Sequence, residues 1–171
     1  MKRFLLFFVP VLALFVLLST SSVFAASTTS NITVQANVVA NCTISAGSIS
    51  FGDYDPAGTN ATNNLDAQGQ FTVRCTRGTA ARIDLGLGSN ASGSTRRMAN
   101  AGEYLTYELY RDSTRSAVWG ILANGLNPYA PSATAPNAGN QTVTVYGRVP
   151  AGQEGMSSGI YQDTVVAEIN F

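Results

Sequence analysis

Tyr161-Gln162-Asp163-Thr164-Val165-Val166-Ala167-Glu168-Ile169-Asn170-Phe171 closes the chain and decides its fold class. Tyr161, Val165, Ala167, Ile169 and Phe171 share one parity, interrupted only by Asp163. Gln162, Thr164, Glu168 and Asn170 share the other. A period of two marks a strand with one face on a core. The strand runs to the final residue, so its far edge is expected either to meet an earlier strand or to stay open. An open apolar edge invites a strand from another chain.

The same alternation recurs upstream. Phe71, Val73 and Cys75 fall together within residues 70–75, and Ala81, Ile83, Leu85 and Leu87 within 81–87. Leu105, Tyr107 and Leu109 form an inward set in 104–111, as do Val143, Val145, Gly147 and Val149 in 143–149. A strand is expected at 49–54, ended by Asp55-Pro56-Ala57-Gly58, and a short one at 119–122. Residues 60–69, 89–94 and 124–140 read as connections. Near the start, Ile32, Val34, Ala36 and Val38 alternate with Thr33, Gln35 and Asn37, and the pattern continues to residue 44. Seven or eight short strands without a convincing helix predict a single all-β domain, an antiparallel sandwich or barrel.

Lys2 and Arg3 precede an almost wholly apolar run over residues 4–18, and Val23-Phe24-Ala25 fits a small-residue cleavage site. Residues 1–25 therefore read as an export signal, too short for a membrane anchor and set apart from the fold. Ten basic and ten acidic residues balance in the whole chain, and removing Lys2 and Arg3 leaves a slightly acidic remainder. Nothing in that balance points to nucleic acid or anionic lipid. The chain has no histidine, which excludes Ser-His and Cys-His nucleophiles. Its one lysine lies in the leader. No catalytic residues, metal site or cofactor are expected, and the protein reads as a non-enzyme.

The remaining candidates are weak. Asp53-Tyr54-Asp55 reads as the cap of the Pro56 turn rather than a cation pair. Residues 86–91 match a dinucleotide fingerprint, but Ser92-Gly93-Ser94 is a poor helix start, so a loop is expected. Arg96-Arg97 reads as a solvated turn. Trp119 reads as a core residue, with a carbohydrate-facing position as the alternative. Cys42 and Cys75, the two cysteines, are expected to form one disulfide in an oxidising compartment. Closing that loop is worth about 3–4 kcal/mol in the chain-entropy model.

The leader, the alternation before Cys42, Phe51-Gly52-Asp53-Tyr54, Cys75 and Tyr161-Gln162-Asp163-Thr164-Val165 together resemble the spore coat protein U domain family. That family includes subunits of archaic (Csu-type) chaperone–usher pili. The resemblance implies an incomplete immunoglobulin-like β-sandwich whose missing strand is donated by a neighbouring subunit. It implies a donor extension at 26–40 merging into the first strand, and a sandwich over 41–171. Ile32, Val34, Ala36 and Val38 become the donor side chains. Tyr161, Val165, Ala167, Ile169 and Phe171 become one wall of the acceptor groove, which also binds a chaperone. The implied partners are other pilus subunits, a periplasmic chaperone and an outer-membrane usher, on a route through the periplasm to a surface fibre. Three alternatives stay open: residues 32–38 as the first strand of a complete sandwich, a coat protein of the same fold, and a secreted carbohydrate-binding monomer.

Overall fold

A computed structural model describes residues 25–171, except 122–124, 126–128 and 130–133. The expected leader therefore lies outside the described residues, apart from Ala25. Residues 25–36 form one unit and residues 37–171 another. The first has no regular structure and every side chain is exposed. Among its described residues the second contains seven strands: β1 (Cys42–Ala46), β2 (Leu65–Cys75), β3 (Arg82–Leu85), β4 (Arg96–Asn100), β5 (Glu103–Tyr110), β6 (Gln141–Val149) and β7 (Ala167–Asn170). A 3₁₀ turn, Thr59–Ala61, joins β1 to β2.

The strands form a five-stranded antiparallel sheet in the order β1-β2-β6-β5-β4, and a second sheet pairing β3 with β7. Alternation places one face of each long strand in the core. Phe71, Val73, Val143, Val145, Val149, Leu105, Tyr107 and Leu109 are buried from the larger sheet, and Ile83 and Leu85 from the smaller. Trp119 is fully buried, meets the Phe71 ring edge-on and the Tyr129 ring at a tilt, and donates its indole N–H to the Ile83 carbonyl at 2.9 Å. That geometry removes the carbohydrate-facing alternative. Cys42 and Cys75 sit opposite each other at the start of β1 and the end of β2, joined as a disulfide.

Several expectations change. The alternation at 32–41 makes no strand, because apolar side chains of the right period form a ladder only when a neighbour supplies hydrogen bonds. Residues 49–54 also carry no ladder. β2 starts earlier than expected, at Leu65, since Ala67 and Gly69 pair with Gly147 and Val145 of β6 despite their low strand preference. The terminal strand is shorter, and Phe171 is 58% exposed rather than inward. Its neighbour Asn170 pairs with Arg82, the first residue of β3, so no β3 residue remains for Phe171.

The largest correction concerns Arg96. It begins β4 instead of a solvated turn and is fully buried. Its guanidinium donates to the Leu85 carbonyl at 3.0 Å, the Gly86 carbonyl at 2.7 Å and the Trp119 carbonyl at 2.8 Å, and pairs with Glu108. A planar fork of five donors can satisfy that many acceptors at once, which is what makes the burial tolerable. The side chain thereby ties the end of β3 and the Trp119 segment to β4 and β5.

Arg96→Met leaves these acceptors unpaired in the interior and is expected to destabilise the folded subunit by about 3–5 kcal/mol. Urea unfolding should show a lower midpoint, and Arg96→Lys should recover only part of the loss.

Candidate functional site

An open groove runs between two extended segments, residues 47–56 and 156–165. It consists of two cavities of about 690 and 450 Å³ that share Ile49, Phe51, Met98, Tyr161 and Gln162 as lining. Leu105, Tyr107, Leu109, Val145 and Val149 form the floor. These are the inward residues of β5 and β6, so the groove opens directly on the core.

Both margins lack a strand partner on the groove side. Gln162 exchanges N–H and C=O bonds with Ala99 of β4, at 3.1 and 2.9 Å. The Thr164 and Val166 carbonyls accept from Ser89 and Gly86 at 3.1 and 2.9 Å. In an antiparallel strand, alternate residues bond to opposite edges. The even residues thus spend their peptide groups on the β3–β4 side. Among the described residues, no partner meets the backbone groups of Tyr161, Asp163 and Val165, or those of residues 48–54. Side chains follow the same parity: residues 161, 163, 165, 167 and 169 are half-buried, while 162, 164, 166 and 168 are exposed.

Glycines shape the first margin. A Cβ on Gly69 would meet the Ile49 side chain at 2.6 Å, and one on Gly147 would meet the Phe51 ring at 2.7 Å. The two glycines lie on diagonal positions of β2 and β6 and form a notch that accepts Ile49 and Phe51. The residues after Tyr54 turn as the sequence suggests, with the Asp55 carboxylate accepting from the Ala57 and Gly58 N–H groups at 3.1 and 2.9 Å.

Side chains anchor the second margin. The Asp163 carboxylate accepts from the Asn90 N–H and amide at 3.1 Å each, and from the Tyr107 hydroxyl at 2.6 Å. Burial, followed by the bond to Asp163, pushes the Tyr107 phenol far above its ordinary range, so it remains a donor. Glu103 accepts from the Tyr161 hydroxyl at 2.7 Å and the Ser157 N–H at 2.6 Å. The Tyr161 bond, then the Ser157 bonds, hold its carboxyl below the ordinary 4.5. At one end Tyr54 ties the first margin to the turn after β6, donating to the Pro150 carbonyl at 2.9 Å and accepting from the Gln153 N–H at 3.0 Å.

Of the wall residues expected from sequence, Tyr161, Val165, Ala167 and Ile169 are half-buried against the core, and Tyr161 and Val165 line the cavities. Asp163 lies with them, although its charge had marked it as an interruption. Residues 48–54 had no signal for an unpaired edge, because their composition is that of an ordinary strand. The expected donor residues are exposed: Ile32 by 88%, Val34 by 91% and Val38 by 82%, with Ala36 exposed as well.

The Glu103 anchor carries a pH dependence. A carboxyl whose folded pKa is lowered adds stability above its ordinary pKa and loses it as pH falls through the lowered value. Amide exchange at Ser157 should therefore accelerate as pH falls below the ordinary 4.5 and through the lowered value, after correction for intrinsic rates. Glu103→Gln should remove that acid-side change.

Three comparisons bear on this geometry. The chain matches the family model for the Spore Coat Protein U domain over residues 28–168. It is 41% identical over 162 residues to Protein U of Myxococcus xanthus, covering 86% of this chain and 87% of that relative. Among solved structures it is similar to the crystal structure of the CsuC–CsuE chaperone–tip adhesion subunit pre-assembly complex from archaic chaperone–usher Csu pili of Acinetobacter baumannii. That likeness has a TM-score of 0.57 at 24% identity, over 78% of this chain and 40% of the solved chain, and it supports an immunoglobulin-like fold. With its family model spanning most of its length and a close relative matched nearly end to end, the chain belongs to the Spore Coat Protein U domain family.

Proposed function

We propose that this protein is a structural subunit of an adhesive surface pilus, assembled by donor-strand complementation. One observation carries the reading. A groove with unpaired backbone on both margins and an apolar floor occurs in the same chain as an exposed arm of strand period. A strand laid in the groove gains main-chain bonds along its edges and buries alternate side chains. Each fully buried Ile or Val contributes about 1.5–3 kcal/mol, so several in succession make a long-lived joint. The fold likeness to a subunit held in a chaperone complex supports the same reading.

In this account residues 1–25 direct export and are removed. Residues 26–40 are the donor extension, with Ile32, Val34, Ala36 and Val38 entering the groove of the next copy. The domain at 41–171 supplies the acceptor, walled by Tyr161, Val165, Ala167 and Ile169. A periplasmic chaperone occupies the groove first, and an outer-membrane usher exchanges it for the donor. Donor and acceptor on one chain engage different neighbours, a heterologous contact that propagates into an open filament. No catalytic step is required.

A second reading, a coat-layer protein of the same fold, is favoured by the match to the Spore Coat Protein U domain over residues 28–168. Both readings use the groove and differ in the assembly formed. Electron microscopy of producing cells separates them: deletion of the gene removes fibres in the first case and alters a coat in the second.

Deleting residues 26–34 is expected to leave chaperone binding intact and abolish polymer formation, read by co-purification and by heat-resistant ladders on gels. Normal filaments from the truncated subunit, or a full-length monomer that completes its own sheet, would overturn donation.

A further inference from the structure

Resting on that reading, we propose that the donor docks in one register, with Ala36 opposite Asp163. The inward parity of the acceptor wall contains one residue that is not apolar. Asp163 lies between Tyr161 and Val165 and lines the smaller cavity together with Tyr107. Its position is tightly specified. The carboxylate occupies the space a Cβ on Gly88 would need, where φ is +92°, and is held by Asn90 and Tyr107. Any strand added to this edge has a residue opposite it, with Cβ atoms about 4.5–5.5 Å apart.

The donor arm has a matching exception. Ile32, Val34 and Val38 are branched and apolar, and Ala36 is the one small residue of the arm with a branched apolar residue two positions away on each side. Both strands have period two, so placing Ala36 opposite Asp163 puts Val34 and Val38 beside Tyr161 and Val165, whichever direction the donor runs. A slip of two residues sets Val34 or Val38 against the carboxylate–phenol pair. A branched side chain there strips the charged group of water without offering a hydrogen bond. A slip of one residue turns Thr33, Gln35 and Asn37 toward the core. One polar wall position and one small donor position therefore select a single alignment, and Asp163 acts as a register-setting residue for the joint.

A double-mutant cycle on polymers of the full chain tests this, with dissociation in fixed denaturant as the readout. Ala36→Val alone is expected to speed dissociation roughly ten-fold, and most of that loss should disappear in an Asp163→Ala background. The effects of Val34→Ala and Val38→Ala should be the same in both backgrounds. A purely structural role for Asp163 predicts additivity everywhere and would overturn the proposal, as would coupling to residue 34 or 38 in place of 36. If Asp163→Ala does not fold, Asp163→Asn keeps the shape and removes the charge, and partial recovery of Ala36→Val is expected there. Failure of the wild-type chain to polymerise would sink the donor reading itself, a result distinct from additivity.

Discussion

Among the described residues, 161–166 find backbone partners along one edge only, toward β3 and β4, and the rest of the molecule is arranged around that limit. Gln162, Thr164 and Val166 bond toward Ala99, Ser89 and Gly86. The intervening residues present N–H and C=O groups to the groove. A buried peptide group needs a partner, so this edge stays near solvent until something supplies one. The facing segment, residues 48–54, has the same unmet demand. Between them lies the core itself, with Leu105, Tyr107, Leu109 and Val145 as floor. Apolar surface and unpaired backbone thus coincide in one place, and a strand is the object that satisfies both.

A groove of this kind would collapse if its margins were free to move together. Side-chain anchors take over where the ladders are missing. Asp163, Ser157 and Tyr161 of the second margin are held to Asn90, Tyr107 and Glu103, and hydrogen bonds to charged groups are among the stronger ones. Ile49 and Phe51 seat the first margin in the notch left by Gly69 and Gly147. Arg96 locks β3 and β4 together beneath. The disulfide fastens the start of β1, the first strand after the exposed arm, to the end of β2. On the proposed reading, force along a fibre enters the domain at that point.

How far these features were legible depends on whether they are local. The inward faces of β2, β5 and β6 followed from alternation, because burial on one face leaves a period-two trace in composition. Arg96 left no such trace. Two adjacent arginines after a Gly/Ser-rich stretch look solvated, and only the convergence of three carbonyls from distant segments makes the interior site habitable. The start of β2 was hidden for a related reason. Ala67 and Gly69 are poor strand formers, and pairing with β6 overrides that preference. Asp163 could be seen to break a pattern, yet nothing nearby in sequence indicated that Asn90 and Tyr107 would receive it.

The chain alone determined its class: repeated short alternation, two cysteines, no histidine and the terminal Tyr-X-Asp-Thr-Val run point to one all-β domain. It also placed an apolar alternating arm ahead of Cys42. Tertiary structure decided which alternating segments become paired strands. Residues 32–38, 49–54 and 161–165 all have strand-like composition, and none lies in one of the seven strands. Composition records which face of a segment prefers to be dry. Whether a neighbour exists to bond its edges is a property of the assembled sheets, so the open groove became visible only in three dimensions.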